Sequence, residues 1–196
     1  MAKVYNPSKW GPRVAICLVA AIPVPIATYM GLFQWGLIDS FWDPFFGKET
    51  EGVLKSELSH EMQDIIRLPD AILGAVAYIG DIIFALAGSN RRWFDRPWLV
   101  ALFGLDVIPV SLVSATLVFM QAFVVHSWCF LCLVTACFSL VLVLLSYDEV
   151  FASITFMHRV WKRSRSKRVV WNTFIGKPSK LAYEIAREIE KNGRKS

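Results

Sequence analysis

Four stretches run for about the length of a membrane helix with almost no charge: Val14–Ile38, Ala71–Gly88, Trp98–Val125 and Trp128–Tyr147. A spanning helix takes about 20 apolar residues, so each predicts one span. Between the first two, Leu54, Leu58, Met62 and Ile66 recur every four residues, with Lys55, Glu57, Glu61 and Asp64 opposite. That pattern predicts an amphipathic helix, either lying on the membrane surface or closing a pocket among the spans. Pro23 and Pro25 sit inside the first span, where missing backbone donors should bend it. Near the end, Ser179 precedes a stripe of Leu181, Ile185 and Ile189, predicting a short amphipathic helix that stops at Gly193 and docks on lipid or a partner protein. The expected fold is all-α: an integral membrane four-helix bundle over residues 1–150, with an outer amphipathic loop helix and a basic cytoplasmic tail over 151–196.

Composition supports the membrane assignment. Of 196 residues 55% are hydrophobic and 19% charged, with a mean hydropathy of +0.46. What lies outside the spans is too little for a second core. Charge sets the orientation, because Lys and Arg flanking spans favour the cytoplasmic side. Lys3, Lys9 and Arg13 precede the first span, Arg91, Arg92 and Arg96 join the second to the third, and twelve basic residues follow Tyr147. The link Asp39–Leu68 carries three basic residues beside seven acids. Both termini are thus expected in the cytoplasm and the long loop outside. All eight Trp fall near span boundaries or in flanking segments, as an interfacial belt requires. Lys162-Arg163-Ser164-Arg165-Ser166-Lys167-Arg168 is a juxtamembrane patch whose expected partner is anionic lipid rather than nucleic acid.

The chemistry centres on Trp128-Cys129-Phe130-Leu131-Cys132 at the start of the fourth stretch. A spacing of three puts both thiols on one helical face, close enough for a disulfide. A helix N-terminus also favours the thiolate. Three readings of the pair stand open: a redox dithiol, an inert pair of small residues, and a metal site with His126. The last lacks the second Cys pair that a structural zinc site ordinarily uses. Cys17 and Cys137 are expected as buried small residues. Asp81 and Asp106 lie at similar depth within spans, where a carboxylate is costly unless neutral, paired or wet. They are read either as a proton path or subunit contact, or as hydrogen-bonded structural acids.

With its loop and its Cys-x-x-Cys, the chain resembles the vitamin K epoxide reductase family from about Val14 to Val150. The motifs in register are Val53-Leu54-Lys55-Ser56, Pro69-Asp70-Ala71-Ile72-Leu73-Gly74 and Trp128-Cys129-Phe130-Leu131-Cys132-Leu133. The resemblance implies a quinone of menaquinone or ubiquinone type held among the spans and capped by the loop. It implies Cys132 as the quinone-facing sulfur, Cys129 as the sulfur exchanging with an outer thioredoxin-like protein, and Ser56 and Asp70 near the quinone. Three positions depart from the family pattern: the loop cysteines are replaced by Trp42 and Thr50, and the tyrosine after the second Cys by Ala136. The expected function is a membrane thiol oxidoreductase, Cys129 and Cys132 catalytic, supporting disulfide formation outside the cytoplasm. The alternative is a non-catalytic accessory subunit of a larger membrane complex, and a third reading is an anionic-lipid-dependent scaffold.

Overall fold

The computed structural model describes residues 5–54 and 68–192. Among them every regular element is a helix. In chain order these are α1 (Trp10–Ala21), α2 (Pro23–Gln34), α3 (Lys48–Leu54), α4 (Asp70–Leu86), α5 (Arg92–Asp95) and α6 (Pro97–Met120). A π-helical turn, Gln121–Val125, follows, then α7 (Phe130–Ser164), α8 (Lys167–Phe174) and α9 (Lys180–Asn192).

Three helical stretches are long and apolar enough to cross a membrane: Trp10–Gln34, Pro97–Val125 and Phe130–Ser164. The protein is an integral membrane protein. Helix α4 has 17 residues, or about 26 Å at 1.5 Å per residue, somewhat short of a hydrocarbon core about 30 Å thick. The expected proline effect is a break in hydrogen bonding at Ile22. Pro23 takes the first position of α2, where its missing N–H leaves no intrahelical acceptor unmatched. Helix α7 outruns the expected span end at Tyr147 and continues to Ser164. The amphipathic loop helix is described only at its beginning, α3, where Val53 and Leu54 are buried. The rest of that stripe, and Ser56, lie outside the described residues.

The chain divides into two compact units. One comprises Met1–Ile16, Ile83–Leu105 and Leu144–Ser196. Its core joins Trp93 and Phe94 of α5, Ala152, Phe156 and Val160 of α7, and Ala182, Ile185, Ala186 and Ile189 of α9. Ser179 caps α9 through its hydroxyl, which accepts the Ala182 N–H at 3.4 Å. The stripe expected to meet lipid or a partner therefore packs on its own chain, because Trp93 and Phe156 offer it a larger apolar face. Trp93 also departs from the expected interfacial belt: it is fully buried, edge-on to Phe94 and Phe156.

Two arginines that read as flanking charges are buried in this unit. Arg13 donates to the carbonyls of Ala85 (2.6 Å), Ala87 (2.8 Å) and Gly88 (3.1 Å). These belong to the C-terminal end of α4 and its exit, where carbonyls lack intrahelical donors and the helix dipole is negative. Gly88 makes that exit with φ +81°, a conformation that L side chains rarely adopt. Arg92 forms a two-pronged ion pair with Glu149, Nε to Oε1 at 2.6 Å and Nη2 to Oε2 at 2.5 Å, and also bonds the Ala87 carbonyl at 2.9 Å. Glu149 accepts the Ser8 hydroxyl as well.

Removing one partner of such a pair leaves an uncompensated buried charge, a loss of about 3–5 kcal/mol. Glu149→Ala is therefore expected to lower the detergent-solubilised protein's unfolding midpoint far more than Glu188→Ala, whose partner Arg163 is half-exposed. Thermal unfolding followed by circular dichroism checks it.

Candidate redox site at the start of helix α7

The second unit comprises Cys17–Ile82 and Asp106–Val143. Within it the chain leaves the π turn through His126, which takes a left-handed conformation at φ 52°. Four residues later it re-enters helix at Phe130. Cys129 stands just before α7, and its carbonyl accepts the first helical bond, from Leu133 at 3.1 Å. It is thus the capping residue, with its sulfur 3.1 Å from the Cys132 N–H. Cys129 and Cys132 are joined in a disulfide with Cα atoms 5.2 Å apart. One sulfur caps the helix and the other sits in its first turn.

Two further side chains satisfy this helix end. The Phe130 N–H donates to Asp43 Oδ2 at 3.0 Å, and the Cys129 N–H donates to Gln121 Oε1 at 3.3 Å. Asp43 is buried and also accepts the Thr50 hydroxyl (2.7 Å) and the N–H groups of Phe45 (2.8 Å) and Phe46 (2.9 Å). Burial pushes its carboxyl up, but these donors outweigh burial and hold it below its ordinary value of 3.8. Thr50, fully buried, also lies 3.4 Å from the Trp128 carbonyl. The loop is therefore pinned over the dithiol, and Cys129 is fully buried beneath it.

Cys132 is only partly buried and faces a cavity of about 90 Å³. Apolar side chains dominate the wall, among them Ala27, Met30, Leu54, Leu117 and Val118. Asp70, Tyr78, Ser114, Gln121 and Thr135 supply its polar points. Asp70 opens α4 and accepts the Gln34 side-chain amide at 2.5 Å. An apolar slot with a few convergent polar groups is the usual form of a small-molecule site.

A family model described as vitamin K epoxide reductase matches residues 14–147, more than half the chain and including every lining residue of this cavity. The chain belongs to the vitamin K epoxide reductase family. No curated protein matches it in a direct comparison. Members of this family are membrane oxidoreductases that couple thiols to quinones, so the protein is assigned a redox class. The residues present suit such a guest: the wall is mostly apolar, residues with hydroxyl and amide groups line it, and Cys132 lies on it.

Of the residues expected to face a quinone in this family member, Cys132 and Asp70 line the cavity, whereas Ala136 does not appear on its wall. Cys137, expected as buried, is exposed, and Cys17 is partly buried with its sulfur 3.9 Å from the Ile82 carbonyl. Sequence reasoning passed over Asp43, Gln121 and Tyr78. For Asp43 the available signal was an acid flanked by Trp42 and Pro44. Gln121 had a fainter one, as a lone amide in an otherwise apolar run.

Asp43→Asn keeps the size but turns one acceptor oxygen into a donor, which the four donors around it cannot use. Bonds to a charged acceptor are worth about 1.5–3 kcal/mol each, so the variant is expected to unfold earlier and to lose its disulfide faster to dithiothreitol. The folded-state carboxyl lies below 3.8, so its stabilisation is complete above that pH and disappears as pH falls through the folded value. Wild type should show this acid step in its sensitivity to a phosphine reductant, which needs no thiolate and acts in acid, and Asp43→Asn should not.

Proposed function

We propose that this protein is a membrane thiol oxidoreductase that passes electrons from an outer dithiol to a membrane quinone, and so forms disulfides outside the cytoplasm. The observation carrying the reading is the Cys129–Cys132 disulfide with Cys132 on the wall of an apolar cavity. In the proposed topology α4 completes four spans, its short length made up by tilted neighbours or local thinning of the bilayer. The charge pattern argues for both termini in the cytoplasm and the dithiol at the outer face.

The chemistry divides between the two sulfurs. A thiolate of a reduced outer protein, of thioredoxin-like type, attacks Cys129 and releases Cys132 as thiolate. The partner's second thiol then attacks the mixed disulfide, leaving the partner oxidised and Cys129 and Cys132 reduced. A quinone of menaquinone or ubiquinone type supplies the two-electron acceptor that restores the disulfide. Asp70, Tyr78, Gln121 and Thr135 would orient its ring oxygens, Met30 and Leu117 would pack on its apolar parts, and Ser56 would approach from the loop. Because Cys129 is covered, the partner must displace the segment held by Asp43 and Thr50, in place of the family's relay through loop cysteines. The basic run from Lys162 to Arg168 would rest on anionic headgroups.

Burial of Cys129 also favours a second reading, an accessory subunit of a larger membrane complex in which the disulfide is structural. One experiment separates the two. Cells treated with reductant, or with reductant and then a short-chain quinone, are quenched with acid, unfolded in detergent and alkylated, and Cys129 and Cys132 are expected to be labelled after reductant and not after quinone. Labelling indifferent to quinone rejects the oxidoreductase. Unchanged stoichiometric co-purification with a larger assembly, after both cysteines become Ser, supports the accessory role.

A further inference from the structure

The redox pair is not the only unusual chemistry in the second unit. Asp81, on α4, is 1% exposed, and its Oδ1 has no hydrogen-bond partner among the described residues. A buried carboxyl oxygen in that position is stable only when the group carries its proton or meets a water. Asp106, on α6, lies within electrostatic reach of it and is the more exposed of the two. The two helices are brought together there by Gly80: a Cβ at that position would collide with the Asp106 carboxylate. On α1, Cys17 is the titratable group near this level, its sulfur against the Ile82 carbonyl. The described part of α7 in this unit adds hydroxyls, not charges.

Those hydroxyls lead to the cavity. One helical turn from Asp81, Tyr78 is within its electrostatic reach and is itself buried. The Tyr78 hydroxyl lies 2.7 Å from Ser139 Oγ and 3.0 Å from the Thr135 carbonyl. Ser139 Oγ is 3.3 Å from Ser114 Oγ, and Thr135 Oγ1 donates to the Cys132 carbonyl at 3.0 Å. Tyr78, Ser114 and Thr135 all line the cavity. A string of exchangeable protons therefore runs from Tyr78, one helical turn from the buried Asp81, to the wall that bears Cys132.

We propose that Asp106, Asp81 and Tyr78 form a proton relay that delivers protons to the cavity from the end of the spans remote from the dithiol. This rests on the quinone-coupled reading. Overall, an outer dithiol and a quinone become a disulfide and a quinol, so two electrons leave sulfur and two protons must arrive on the ring oxygens. The relay supplies those protons from one side while the thiol protons of the outer partner leave on the other. Asp81 holds the proton, Tyr78 and Ser139 pass it by exchanging hydrogen-bond partners, and Asp106 reloads Asp81. The thiol oxidation would then separate charge across the membrane.

The test uses the full-length, pre-reduced protein in detergent and a short-chain benzoquinone. Before quinone is added, infrared spectra are expected to show a protonated carboxylic-acid band that Asp81→Asn removes and Asp81→Glu restores at a shifted position. On oxidation, that band should change transiently, and dithiol loss should slow by about 100-fold in Asp81→Asn and in Tyr78→Phe, the scale of a lost proton donor. Asp81→Glu should recover most of the rate. An unchanged rate in Asp81→Asn and Tyr78→Phe, with wild type oxidised normally by the quinone, overturns the relay and leaves the redox reading intact. A wild-type dithiol that quinone never oxidises overturns both. Should Asp81→Asn fail to fold, Asp106→Asn, which lies off the cavity wall, decides the matter by the same rate and band change.

Discussion

Helix ends in a membrane protein expose backbone groups that lipid cannot satisfy, and each unsatisfied group costs several kcal/mol. The two compact units meet this demand with side chains from distant parts of the sequence. In one, the Arg13 guanidinium collects the carbonyls around the end of α4. In the other, Asp43, Gln121 and the Cys129 sulfur collect the N–H groups at the start of α7. The redox centre is thus part of a helix cap. Opening the disulfide changes the cap, and displacing the cap uncovers the disulfide.

That coupling gives the loop its role. Thr50 stands where the sequence resemblance expects a loop cysteine, and its hydroxyl donates to Asp43. A hydroxyl cannot exchange with a disulfide, but it can hold a carboxylate whose other bonds fix Phe45, Phe46 and the first amide of α7. The segment becomes a cover in place of a shuttle. In the proposed exchange, access to Cys129 would be set by how well a partner competes for Asp43, a property of the loop and not of the sulfurs.

Much of this was legible without coordinates. Of the four apolar runs, three are helices long and apolar enough to cross a membrane, and the order of Val-Leu-Lys-Ser, Pro-Asp-Ala-Ile-Leu-Gly and Trp-Cys-Phe-Leu-Cys-Leu pointed to the family later matched over residues 14–147. Those features are local, and periodicity and spacing report local geometry well. Less legible were residues whose meaning depends on a distant neighbour. Trp93 and Arg92 look like interfacial and flanking residues, yet both are buried because Phe156 and Glu149 from α7 arrive beside them. The stripe on α9 looked like a docking face for something external for the same reason: the surface that covers it comes from α5 and α7.

By itself, then, the sequence determined the membrane class, the helices and the dithiol at a helix start, since each follows from side-chain polarity over fewer than about 25 neighbouring residues. Only tertiary structure decided that Cys132 would face a cavity while Cys129 lay covered, that Asp43 would cap α7 from 87 residues away, and that Asp81 Oδ1 would be buried with no partner among the described residues. Such outcomes depend on which backbone groups and charges remain unpaired after the helices have packed, and no local pattern encodes that remainder.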